Sequence, residues 1–269
     1  MKQYILKEHE DGSVTTIKDV QVELLKIVLE FDRICKKHNI DYALAYGSEL
    51  GAVRHGGFIP WDDDIDLFME RDDYMRFINI VDEELDSKYY VECFEKDDRY
   101  NPLTPNMKIK RHHSYIKEKT LLTNRLGGNG LFIDVFLFEG ISESKWKHHV
   151  AQAYSMLLMP LIIGLDLLHM DSRFITRRVY NHTKRYAKKH ENSSVGSIGV
   201  NWTFDGFKYS PIKRSHIFPS KAVNFEGHML QGSQHPEFVL TYLYGENYMT
   251  PPPEDNQIPH HIIDIKIEK

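Results

Sequence analysis

The chain has 269 residues, of which 41% are hydrophobic and 27% charged; this is ordinary globular composition, sufficient for one core with a subsidiary lobe, and it excludes long disordered tracts. A formal net charge of -5 gives no global reason to expect nucleic acid as a partner, because such binders carry an excess of Lys and Arg. Two cysteines, Cys35 and Cys93, are too few for a disulfide framework or a four-cysteine zinc site. The opening MKQYILKEHEDGS lacks the apolar core of a secretory signal, and no run reaches the ~18 consecutive apolar residues of a membrane span. A cytoplasmic protein is expected, one not always far from a membrane.

In chain order, Val20, Leu24, Ile27, Val28, Phe31, Ile34 and Cys35 fall at helical spacing over residues 19–35. The cations Lys36, Lys37 and His38 suit the end of that helix, with Asn39 as its stop. Residues 40–46 read as a strand broken by Gly47 and Ser48, and residues 49–55 as a short helix ended by Gly56 and Gly57. A second strand is expected over 63–69, then a helix capped by Asp72 that carries Tyr74, Phe77, Ile78 and Val81. Strands are expected at 89–94 and 107–116, a loop at 123–130, and a buried central strand at 131–138 interrupted by one acid, Asp134. From 143 to 190 the pattern is helical, with Pro160 and Gly164 kinking or dividing the first helix and a basic helix over 173–189. A strand near 222–226, a helix at 236–244 and a proline-rich tail complete the chain.

The chemistry concentrates in Trp61–Met69, WDDDIDLFM. Residues two apart share a strand face, so Asp64 and Asp66 point one way and Ile65 and Leu67 the other. Paired carboxylates repel unless a cation lies between them, and Mg²⁺ carrying phosphates is the usual occupant of such oxygen-rich sites. Upstream, Gly47 and Ser48 at a strand-to-helix turn offer backbone N–H groups and a hydroxyl to phosphate oxygens. Downstream, Asp134 supplies a third acid, to complete metal coordination or to accept the proton of an attacking hydroxyl. The bland alternatives are a solvated acidic turn and an ordinary glycine turn; a charge placed within the apolar strand at 131–138 weighs against the first. Asp62 and Asp63 read as turn residues, and Tyr46, Phe58 and Trp61 as core aromatics at least as readily as pocket walls.

This ordered set resembles the nucleotidyltransferase superfamily. The longer text YGSELGAVRHGGFIPWDDDIDLFM, together with MKIKR, GLFIDVF, FEG and YGENYMTPP, resembles the LicD family of phosphocholine transferases from about residue 20 to about residue 261. The resemblance implies an α+β fold: a nucleotidyltransferase-like mixed β-sheet flanked by helices. One domain over 1–269 is expected, with a core at about 20–140, a helical lobe at about 143–190 and a C-terminal segment at about 200–269 closing the site. It implies transfer of phosphocholine from CDP-choline to a sugar hydroxyl of a cell-surface glycan precursor, of teichoic acid or lipopolysaccharide type, with release of CMP. On that reading Asp64, Asp66 and Asp134 hold one or two Mg²⁺ ions, with Mn²⁺ an alternative, and Asp134 doubles as the base. Gly47 and Ser48 hold the donor phosphates, and Arg54 and Lys108 are cations facing the pyrophosphate. Rival readings are transfer of ribitol or glycerol phosphate from its CDP donor, attack at the nucleoside-linked phosphorus with loss of pyrophosphate, and a catalytically silent nucleotide-binding scaffold.

Two further features stand apart from that set. The histidine pairs 112–113, 148–149 and 260–261 are poor joint metal ligands, because adjacent side chains diverge, although His261 could line a pocket. Residues 156–190 combine the apolar MLLMPLIIGL with seven cations over 173–189, a combination suited to peripheral contact with an anionic membrane if the acceptor is lipid-linked.

Overall fold

The computed structural model describes residues 4–9, 12–101, 106–118, 128–198, 209–259 and 261–267. A hairpin of β1 (Ile5–Glu8) and β2 (Val14–Thr16) leads into the long helix α1 (Ile17–His38). Then come β3 (Ala43–Leu44), α2 (Tyr46–His55), β4 (Asp66–Met69), α3 (Arg71–Glu84), β5 (Tyr89–Cys93), β6 (Met107–Arg111), β7 (Ser114–Glu118), β8 (Phe132–Leu137) and β9 (Glu139–Gly140). Two helices follow, α4 (Lys145–Leu167) and α5 (Arg173–Lys189). The chain ends with β10 (Val195–Ser197), β11 (Ile212–Lys213), α6 (Arg214–Ile217), β12 (Lys221–Phe225), β13 (His228–Gly232), α7 (Pro236–Tyr244), a 3-10 turn at Glu254–Asn256, and β14 (Ile262–Ile267).

Helix α1 shows how local chemistry sets the frame. Thr16 and Asp19 form a reciprocal capping box at its start, worth about 1 kcal/mol. Asn39 ends it in the left-handed conformation at φ 50°. Val20, Leu24, Ile27, Val28, Phe31, Ile34 and Cys35 are buried, as their spacing predicts. They pack on one face of a five-stranded sheet of order β3-β4-β8-β6-β5, in which β4 and β8 run parallel and every other pairing is antiparallel. The architecture is thus mixed α+β, with smaller sheets β1-β2, β12-β13, β14-β7 and β11-β10-β9 around the central one.

Strand pleating separates the two faces of the central sheet. Leu67, Met107, Ile109, Ile133 and Val135 join α1 in the core. The alternate residues Asp66, Asp134 and Lys108 share the opposite face, where Asp66 pairs in register with Asp134 and Asp134 with Lys108. The row continues to Glu92 on β5, whose carboxylate lies 2.6 Å from the Lys110 ammonium, both side chains being buried.

Several expectations change. The strand expected over 40–46 is only Ala43–Leu44, and the helix after it begins at Tyr46 and already includes Gly47 and Ser48. Tyr46 takes φ 44°, with its ring edge-on to Phe68 and Phe136, so the chain reverses one residue before the glycine. The strand expected over 63–69 is the shorter Asp66–Met69, preceded by one bond from the Asp134 N–H to the Ile65 carbonyl at 2.8 Å. Asp72 lies inside the first turn of α3 rather than at its cap, which is Glu70. His112 and His113 turn the strand expected over 107–116 into two, β6 and β7, with His113 at φ 54°. Helix α4 runs through Pro160 and Gly164 undivided. The last residues of the supposed tail form β14, which pairs with β7. Of the loop expected at 123–130, residues 123–127 lie outside the described residues.

Candidate active site

The site forms at the N-terminal ends of β4 and β8. Ile65 and Leu67 are fully buried, which turns Asp64 and Asp66 to the open face together. Asp66 is anchored through its backbone: its N–H donates to the buried Ser48 Oγ at 2.9 Å, and its carbonyl accepts the Ala45 N–H at 2.9 Å. The Lys108 ammonium lies 3.0 Å from Asp134 Oδ1 and over the Phe132 ring, 3.1 Å from its centroid. A cation held between a carboxylate and an aromatic face keeps a fixed place in the site.

Gly47 explains how Asp62 enters the group. A Cβ at this position would come within 2.8 Å of Asp62 Oδ2, so only glycine lets that carboxylate lie against the first turn of α2. The turn expected to cradle donor phosphate is therefore faced by the protein's own carboxylate. Gln21 Nε2 fixes the same loop by donating to the carbonyls of Ile59 and Asp62, at 3.1 and 3.0 Å.

Asp63 points the other way and is buried. Its Oδ2 accepts the backbone N–H groups of His261 and Ile262 at 3.1 and 2.8 Å, tying β14 to the acidic loop. That tether brings His261 Nε2 to 3.2 Å from Asp64 Oδ2. Ligand atoms of Asp63, Asp64 and His261 all lie within 4.8 Å of one another, and Asp63 Oδ1 is buried without a hydrogen-bond partner among the described residues. An orphaned carboxylate oxygen beside two further donors is a fitting place for a cation. The oxygen-rich side of the site suits Mg²⁺ or Mn²⁺, and the imidazole favours the softer of the two.

The acids raise one another. Burial, then the charges of Asp64, Asp134 and Asp62, push the Asp66 carboxyl well above the ordinary carboxylate range, with Lys108 opposing. Burial, then Asp64 and Asp63, do the same to Asp62. Asp64 is raised mainly by burial, against the pull of His261. Tyr244, at the end of α7, is also raised, first by burial and then by Asp66, Asp62 and Asp64, which puts its phenol within their field. A divalent cation would relieve all of these groups at once.

Arg54 stands at the C-terminal end of α2, where Nη1 donates to the Tyr248 carbonyl at 2.9 Å and Asp62 contributes to its electrostatic surroundings. The sheet thus brings Asp64, Asp66, Asp134 and Lys108 together, with Gly47 and Ser48 beneath them and Arg54 at the margin. The core claims the aromatics near the motif. Phe58 packs edge-on to Phe225 and Trp61 is buried with Leu50, Ile59 and Leu240. Sequence reading undervalued Asp62, although it shares the even parity of Asp64 and Asp66. It could not pair Asp63 with His261, which folding alone brings together across nearly two hundred residues.

Residues 39–158 match the family model described as the LicD/FKTN/FKRP nucleotidyltransferase domain. Over that stretch the chain is similar to the LicD family. The Haemophilus influenzae lipopolysaccharide cholinephosphotransferase LicD is 27% identical, over 94% of this chain and 98% of that protein. Uncharacterized proteins of Rickettsia typhi and Rickettsia prowazekii are 33% and 34% identical over 35% and 29% of the chain. The LicD domain as matched contains Asp62–Asp66, Lys108 and Asp134, whereas Tyr244 and His261 come from the segment beyond it.

Proposed function

We propose that the chain is a metal-dependent phosphotransferase that moves phosphocholine from CDP-choline to a sugar hydroxyl of a lipopolysaccharide- or teichoic-acid-type precursor and releases CMP. The observation that carries this reading is the in-register meeting of Asp66, Asp134 and Lys108 beside Asp64, an acid cluster under mutual repulsion with one cation already installed. The full-length similarity to the Haemophilus influenzae enzyme supports the choline and glycan parts. The core would be of nucleotidyltransferase type, in keeping with the family model.

Asp64, Asp66 and Asp134 would hold one or two Mg²⁺ or Mn²⁺ ions, with Asp63 and His261 as a neighbouring donor set. Bound metal neutralises charge on the transferring phosphoryl group. The sugar oxygen attacks the choline-bearing phosphorus, its proton passes to Asp134, and the bond to the CMP oxygen breaks. Lys108 holds Asp134 in place and meets the charge left on CMP, while Arg54 faces the pyrophosphate from the α2 side. Gly47 and Ser48 contact the donor phosphates at the start of α2, where phosphate takes the place of the Asp62 carboxylate. Tyr244, 44% exposed and within the field of the acids, is an aromatic available among the described residues to meet a quaternary ammonium. A lipid-linked acceptor places the enzyme at the inner face of the cell membrane.

The test is product analysis with CDP-choline, Mg²⁺ and a glycolipid acceptor. CMP release matched by choline on the acceptor, both lost in EDTA and in Asp66→Asn, is the expected result. Pyrophosphate release, or faster turnover of CDP-ribitol or CDP-glycerol, overturns it.

A further inference from the structure

Helix α4 is inverted with respect to the usual amphipathic pattern. Its buried side carries His148, Gln152, Ser155 and Asp166 alongside Ile162. Its outer side presents Trp146, Val150, Leu157, Leu161 and the capping Leu168 at 50–79% exposure. At about 100° per residue these five lie within a stripe about 60° wide. Phe174, at the start of α5, and Met170, in the connection, extend the apolar surface. The polar inner side is engaged, since His148 Nδ1 lies 3.1 Å from the Tyr186 hydroxyl and Ser172 Oγ donates to Asp166 at 3.1 Å. A contiguous apolar surface of this kind marks a place of contact.

The flank of the stripe identifies the contact. Tyr154, at its edge, opens into a cavity of about 1330 Å³ to which α5 contributes Arg178, Lys184 and Arg185, besides Lys188, which is paired with Glu191. Most acids of the cavity are already committed: Glu70 to Arg214, Asp73 to Arg76, Glu139 to Arg71 and Glu191 to Lys188. Arg178 stands 5.9 Å from the Phe174 ring, which joins the cationic flank to the apolar surface.

We propose that this face docks on an anionic lipid bilayer, with the α4 stripe lying in the interface and the α5 cations meeting lipid phosphates. An interfacial helix needs an apolar side bordered by Lys and Arg, and both are present. Lys145–Leu167 is also long and apolar enough to cross a membrane. Crossing, however, would strip His148 and Asp166 from Tyr186 and Ser172 and place them in hydrocarbon, whereas lying flat preserves both contacts. A second copy seated symmetrically on the stripe would bring two sets of α5 cations together, which disfavours it. The inference deepens the lipid-linked acceptor reading and rests on it for its purpose, while its geometry is independent.

The test is flotation of the full chain with vesicles of phosphatidylglycerol and phosphatidylcholine mixed about one to two, and with phosphatidylcholine alone. Expected is partition at least about tenfold stronger on the anionic vesicles, weakening as NaCl rises from about 0.1 to about 0.5 M. Leu157→Ser with Leu161→Ser should lower partition about tenfold and leave the melting temperature and CMP release on a lipid-free acceptor unchanged. Leu157→Trp should strengthen partition. Absence of wild-type flotation, equal flotation of wild type and the double variant, or a sedimenting dimer that does not bind vesicles overturns the proposal. CMP release without flotation sinks docking alone; flotation without CMP release sinks the phosphocholine reading alone.

Discussion

Glu49 provides a quantitative test of the packing around the site. This side chain is fully enclosed on the first turn of α2, and its two oxygens accept the Ser233 N–H at 2.7 Å and the Ser233 hydroxyl at 2.9 Å. Burial outweighs both hydrogen bonds and lifts its carboxyl from 4.5 to about 7. A raised carboxyl means that the folded chain holds the proton more tightly than the unfolded chain does. Its contribution to stability is therefore fully present below pH 4.5 and is lost as pH rises through about 7. At about 1.4 kcal/mol per pH unit, ionising Glu49 costs about 3 kcal/mol by pH 8.

Glu49→Gln removes the charge and keeps the shape. The amide oxygen accepts the Ser233 N–H, and the amide nitrogen donates to Ser233 Oγ. Urea unfolding in EDTA at about pH 4.5 and pH 8 should find wild type and variant equal to within about 0.5 kcal/mol at the lower pH, and the variant more stable by about 3 kcal/mol at pH 8. Asp62, Asp64 and Asp66 also lose stability over this range, but they do so in both proteins and cancel in the difference. Parallel pH dependences would refute the assignment of a buried, proton-holding Glu49.

Mg²⁺ should raise the melting temperature more at pH 8 than at pH 5, because protons compete more strongly for the raised carboxyls of Asp62, Asp64 and Asp66 as pH falls; calorimetry with and without the ion checks this. Asp66→Asn should melt higher than wild type without metal, through relief of repulsion, and should lose most of the Mg²⁺ increment. Asp63→Ala leaves the His261 and Ile262 N–H groups without their acceptor, at a cost of about 1–3 kcal/mol in urea unfolding, whereas Asp63→Asn should retain most of the stability. Tyr244→Ala should raise KM for CDP-choline roughly three- to thirtyfold with little change in kcat, the worth of a cation–π contact of about 0.5–2 kcal/mol, and Tyr244→Phe should restore it.

What could be read from the sequence depended on range. Helix α1 was legible because seven apolar residues repeat at its period and Asn39 sits where the left-handed turn is needed. Asp134 was conspicuous because a charge stands among apolar neighbours, and the sheet register sets it beside Asp66. The start of α2 was misread because a glycine looks like the turn, yet Tyr46 takes the positive φ and is held there by rings from β4 and β8. Strand β14 was lost for the opposite reason. Ile263 to Ile267 alternate apolar and polar, a strand signal overshadowed by the prolines at 251–253, and the partner that completes it, β7, lies far upstream near residue 116.

Asp63 shows why the two ends of the chain cannot be considered apart. A carboxylate devoted to metal would be expected to keep both oxygens for the ion, but Asp63 gives Oδ2 to the backbone of β14 and keeps only Oδ1 without a partner among the described residues. Those bonds bring His261 to Asp64. The local alternation of WDDDIDLFM thus sorts its acids into two duties: Asp62, Asp64 and Asp66 on the even positions form the repelling cluster, and Asp63 on the odd side recruits the C-terminal strand. Because the cluster is unfavourable without a counter-charge, the imidazole recruited by Asp63 and the ammonium of Lys108 are the chain's own partial remedy, and the residual repulsion is what a divalent ion would bind against.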